Sequence, residues 1–211
     1  MLNEVYKSSF ANLYTHVRLL MFLSALFCFV FVLGAAVAQA GEVEVQVSTE
    51  PVRYAWWLRV TFTPTHTNIR GIPVKEIHKA WRRASELKKQ CLPRHLLYED
   101  GADLMDQSQI AFSVAGDFNH DSRTKEALVG VYETDSGERG TFLLILSRSD
   151  SGSWHKVFLD EIPDGPGFSG LHWDGENLFW LHCMKCDASR YLVWDKNKKR
   201  YVWIPVKHGP D

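Results

Sequence analysis

Asp117, Asn119 and Asp121 carry side-chain oxygens at alternate positions between two apolar runs. In a tight loop such alternation brings the three side chains to one side, where they can surround a hard cation such as Ca²⁺. His182-Cys183-Met184-Lys185-Cys186 is a second group with chemistry available to it. Two thiols at that spacing can form a disulfide, contribute to a metal site or exchange disulfides. Asp117, His120, Asp121 and Glu126 also have the residue types of metal-assisted hydrolysis, a reaction that further needs a pocket to hold its acid and base. No Gly-x-Ser-x-Gly, P-loop, dinucleotide fingerprint or His-Glu-x-x-His is present, so the chain specifies no reaction by motif.

Gly116-Asp117-Phe118-Asn119-His120-Asp121, followed by the apolar run 127–132, resembles the calcium loop of FG-GAP/VCBS repeats, the integrin-type propeller blades. The resemblance spans about fifteen residues and implies Asp117, Asn119 and Asp121 as calcium ligands, with the backbone carbonyl of Arg123 as the next. Two positions depart from the family's pattern. Ser122 stands where a glycine is usual, and Lys125 stands where the last acidic ligand belongs. An ammonium there either repels the ion or substitutes for it by bridging the carboxylates. Glu126 is one residue further along a strand and should point the other way. Two readings stay open: bound Ca²⁺, or a metal-free loop held by Asx-type turns and Lys125. One such loop cannot make a propeller, which needs at least four blades.

For Cys183 and Cys186 the first expectation is a disulfide stapling the loop before Arg190, because the chain reads as exported. Zinc is the weaker alternative, since no second Cys-x-x-Cys supplies the remaining ligands. Redox catalysis is the weakest, since the segment after Cys186 reads as turn then strand rather than as a helix.

The elements that would position these groups read as α+β, mostly β. Residues 41–50 and 53–63 have the alternation of a strand pair. From Pro73, the apolar residues Val74, Ile77, Trp81, Ala84 and Cys91 recur at spacings of three, four and seven, which predicts one amphipathic helix over 73–92. Its opposite face would carry Lys75, Lys79, Arg82, Arg83 and Lys89, and Cys91 would be a buried free thiol. Residues 95–109 read as an acidic, turn-rich connector. Eight short strands follow, at 110–115, 127–133, 141–148, 154–160, 168–173, 177–182, 190–195 and 200–205. Their spacing predicts an antiparallel meander in two blade-like sets of four. Asp174-Gly175 predicts a two-residue hairpin turn with His172 opposite Asn177. A four-residue turn at 196–199 places Leu192 opposite Trp203 and Trp194 opposite Tyr201, with Tyr191, Val193, Val202 and Ile204 on the other face. Both faces of this hairpin being apolar, the second sheet is expected to be covered on both sides. The eight tryptophans are expected in the core, with exposed stacking platforms as the alternative.

The first 40 residues have a positive start, a long apolar run over 19–38 and the small-x-small exit Ala38-Gln39-Ala40. That is the pattern of a secretory signal peptide, the alternative being an uncleaved anchor. Taking away Lys7, Arg18 and Glu4 leaves 22 basic and 24 acidic residues on 41–211, one domain by length. This balance, with export, argues against nucleic-acid binding. A secreted or periplasmic, non-enzymatic β-rich module binding a protein or a carbohydrate, calcium-stabilised under the first reading of its loop, is the leading expectation. The alternatives are an exported enzyme, acting at the acidic loop or the cysteine pair, and a structural protein held at a membrane by 19–38.

Overall fold

Two long strands at the centre of the chain alternate between two cores. The computed structural model describes residues 44–47, 55–99, 102–186 and 190–206. Residues 1–40, with the signal or anchor reading, lie outside these. Contacts group Gly41–Asp211 into one compact unit. In chain order the strands are β1 (Glu44–Val47), β2 (Val60–Thr63), β3 (Asn68–Ile69), β4 (Ile72–Pro73), β5 (Trp81–Glu86), β6 (Tyr98–Glu99), β7 (Ala102–Asp103) and β8 (Ser113–Gly116). They continue with β9 (Lys125–Thr134), β10 (Arg139–Arg148), β11 (Trp154–Ile162), β12 (Gly170–Trp173), β13 (Leu178–Leu181), β14 (Arg190–Asp195) and β15 (Arg200–Pro205). The described residues are mostly β and antiparallel: three strand pairs, β1 with β2, β3 with β4 and β6 with β7, and two larger sheets.

The first large sheet runs β11-β10-β9, and the far edge of β9 is shared by β5 and β8 lying end to end. The second runs β12-β13-β14-β15. These are the two expected sets of four, with β5 added to the first. Ala127, Val129 and Val131 of β9 and Leu143 and Ile145 of β10 face one core, shared with Leu171, Leu178, Trp180 and Leu192 of the second sheet. The alternate residues, Leu128 and Tyr132 with Phe142, Leu144 and Leu146, face another, closed by Ile69, Ile72, Val74, Ile77, Trp81 and Ala84. The first sheet is thus covered on both faces, and its central strands read as continuous apolar runs for that reason.

The helix expected over 73–92 is not there. Only Val74–Ile77 of it is α-helical, and β5 follows with a shift in register between Trp81 and Arg83. Val74, Ile77, Trp81 and Ala84 do enter one core, as their spacing required. A strand bulge puts residues three apart on one face and so imitates a helical stripe. Arg82, Arg83 and Glu86 are weak strand formers, but β9 offers an unpaired edge and the ladder prevails over local preference. Cys91 is a free thiol, half-buried at the end of the short 3-10 turn Lys89–Cys91.

The β14–β15 register is as expected, with Leu192 opposite Trp203 and Trp194 opposite Tyr201. The β12–β13 register differs: His172 lies opposite Phe179, and the loop has four residues. The Asp174 carboxylate accepts from the backbone N–H of Glu176 and of Asn177 and from the Asn177 amide, which fills a wider turn than Asp-Gly alone would make. The inner face of the second sheet packs on the first sheet, and Tyr191, Val193, Val202 and Ile204 on its other face are half-buried.

Candidate functional site: the acidic loop between β8 and β9

The loop 117–124 links neighbouring strands and is folded by its own side chains. One Asp117 oxygen accepts from the backbone N–H of Asp121 at 3.0 Å and the other from that of Ser122 at 2.8 Å. Asp121 accepts from the N–H of Arg123 at 2.9 Å. His120 and Ser122 have φ of 57° and 63°, the left-handed region that these Asx turns demand. Ser122 therefore meets the conformational need that makes glycine usual at its position. Phe118 anchors the loop from below, buried and edge-on to Trp173 of the second sheet at 4.8 Å between ring centroids.

Lys125, the first residue of β9, turns back into this loop and is only 3% exposed. Its ammonium donates to Asn119 Oδ1 at 2.5 Å, to Asp121 Oδ1 at 2.7 Å and to the Arg123 carbonyl at 3.1 Å. Asp117 Oδ1 is 4.0 Å away. Nζ thus sits among the oxygens of Asn119, Asp121 and the Arg123 carbonyl, with Asp117 outside hydrogen-bond distance. The Lys125 ammonium holds the Asp121 carboxyl down to about 2, with the Asn119 amide and the Arg123 N–H adding to the effect. Glu126 points the other way, as strand alternation requires, and pairs with Arg70 at 2.7 Å. Asp117 and Asp121 also act on Tyr201 of β15, whose hydroxyl is pushed up first by burial and further by these charges.

Cys183 and Cys186 lie at disulfide distance with Cα atoms 5.6 Å apart, in a bend after β13 rather than at the start of a helix. Among the described residues no three His, Cys, Asp or Glu side chains converge as a metal site. Tryptophans 56, 57, 81 and 180 are buried, and 154, 173 and 203 pack against the cores. Trp194 sits edge-on to Tyr201 at 5.0 Å.

Two arrangements had no sequence signal. His66 Nδ1 and Ser85 Oγ are 2.9 Å apart, a nucleophile-and-base pairing in type, but Ser85 is wholly buried and its oxygen also accepts from the Thr65 N–H. Glu133, buried beneath the sheet edge, is clamped by Arg82 and Arg139. His66 meets Ser85 because it bridges Ala84 of β5, and Arg82 meets Glu133 because β5 lies against β9; these contacts join residues 19 and 51 apart, which only the fold reveals. A cleft of about 250 Å³ opens where β5 ends and β8 begins, floored by Met105, Ile110 and Phe112. Of the two lysines that line it, Lys89 is held between Asp103 at 2.6 Å and Asp106 at 2.8 Å, and Lys88 lies 3.5 Å from Glu86. No helix among the described residues is long and apolar enough to cross a membrane. No family model, curated protein or solved structure matches the chain.

Proposed function

We propose that the chain is an exported, non-enzymatic β-rich module that binds or supports another macromolecule, a protein or a carbohydrate. The observation that carries this reading is the engagement of Lys125 with Asn119, Asp121 and the Arg123 carbonyl. The side chains best suited to chemistry brace a loop that ties β8 to β9 and, through Phe118, to Trp173. Ser85 and Glu133 are engaged in the same way. A general acid or base has to exchange protons with a bound reactant, and a group fully occupied within the fold is poorly placed to do so. The cysteine pair, at disulfide distance, supports an oxidising compartment outside the cytoplasm.

The test is a glycan array and a cross-linking screen with the purified chain, run beside assays for ester and peptide hydrolysis and for disulfide reduction. Saturable binding to one glycan class or one protein, with no turnover, is expected. Turnover abolished by Asp121→Asn, or disulfide reduction abolished by Cys183→Ser, would refute the reading.

A further inference from the structure

We propose that the Lys125 ammonium is the resident cation of the acidic loop, standing where a divalent ion would otherwise sit, so that the loop keeps its shape without calcium. An ammonium has three N–H donors, and here three oxygens accept them, from Asn119, Asp121 and the Arg123 backbone. Nothing in its hydrogen-bonding capacity is left over. The acceptors are the side chains at alternate positions plus a backbone carbonyl, the donor set that a hard cation selects. A calcium ion needs six to eight oxygens at about 2.3–2.6 Å, and the centre of this set is already filled by a positive charge attached to β9. Two cations in contact at that point would repel strongly.

Glu126 cannot supply a further carboxylate without leaving Arg70. Asp117, at 4.0 Å from Nζ, uses both oxygens on the loop's own N–H groups. The loop therefore holds two carboxylates, one amide and one cation that cannot dissociate. A calcium loop in an exported protein loosens where the ion is scarce, and a lysine-centred loop does not. What the loop anchors, the β8 edge and the Phe118–Trp173 contact between sheets, is then independent of the medium.

Lys125→Asp exchanges the tethered cation for a third carboxylate facing the same oxygens, and should make the loop dependent on calcium. The experiment follows thermal unfolding of the full chain, as native protein, Lys125→Met and Lys125→Asp, in chelator and in millimolar calcium. The native midpoint should be the same in both, to within about 1 °C. Lys125→Met should melt roughly 3–8 °C lower in chelator, because the carboxylates then converge without a counter-charge. Lys125→Asp should melt lower still in chelator and recover at least about 3 °C with calcium. A native midpoint that rises with calcium would overturn the proposal, as would a Lys125→Met protein as stable as the native chain. A folded Lys125→Asp protein indifferent to calcium would overturn it too. Should Lys125→Asp not fold, the native comparison and Lys125→Met decide the matter alone.

Discussion

Gly130→Ala should destabilise the protein, although alanine generally favours a strand over glycine. Gly130 sits mid-way along β9, opposite Phe142 on one side and Glu86 on the other. A Cβ placed there would lie 2.3 Å from the Ser85 carbonyl oxygen and 2.3 Å from the Phe142 ring. The ring can tilt, but the Ser85 carbonyl belongs to a strand held by the β9 ladder. Overpacking of this kind costs about 1–3 kcal/mol, and the clash with a fixed backbone atom puts the cost in the upper half of that range. Where a glycine in a strand is merely exposed, alanine instead gains about 0.5–1 kcal/mol, so the sign of the effect is diagnostic. For a chain of this size the loss corresponds to a midpoint roughly 4–12 °C lower. Urea unfolding should show a lower transition midpoint with the slope unchanged, meaning that stability fell and the unfolded state did not change. Gly130→Ala with Phe142→Leu should recover part of the loss and not all of it, because the ring yields and the carbonyl stays. A neutral or stabilising Gly130→Ala would refute the placement of β5 against β9, and with it the correction of the helical reading of 73–92.

Trp81→Ala should cost about 3–5 kcal/mol in urea unfolding, since Trp81 is fully buried, stacks on Tyr132 at 5.2 Å and donates its indole N–H to Glu161. Ser122→Gly should raise the thermal midpoint by a few degrees, because a φ of 63° costs a serine about 1 kcal/mol and a glycine nothing. On acidification, the Asp121 carboxyl, held down to about 2 against an ordinary 3.8, contributes stability that is complete above the higher value and lost as pH falls through the lower. The melting midpoint of the native protein should accordingly fall more steeply across that window than that of Asp121→Asn. Reducing the Cys183–Cys186 pair should cost at most about 2 kcal/mol, since the loop it closes is very short. Paired melts with and without reductant measure that.

The meander was legible because its strands alternate and its turns carry the residues that turns need. β14 and β15 begin and end where the sequence placed them, and their register followed from the length of the 196–199 turn. The acidic loop was legible because its pattern is local, and Lys125 stood out in it as a charge of the wrong sign. Segment 73–92 was misread for a physical reason. Spacings of three and four arise from a helix, or from one helical turn joined to a bulged strand, and only the edge offered by β9 decides between them. The Asp174 turn failed similarly, because the side-chain contacts that widen it involve Asn177, beyond the Asp-Gly pair. Contacts such as His66 with Ser85 or Arg82 with Glu133 join distant stretches and leave no periodic trace.

Crystals of the full chain grown in excess calcium, with diffraction collected at a wavelength where calcium scatters anomalously, test the lysine-centred loop most directly. The expected map has the Lys125 ammonium between Asn119, Asp121 and the Arg123 carbonyl, with no anomalous peak there. A calcium peak among those oxygens, with the Lys125 side chain displaced toward solvent, would contradict it.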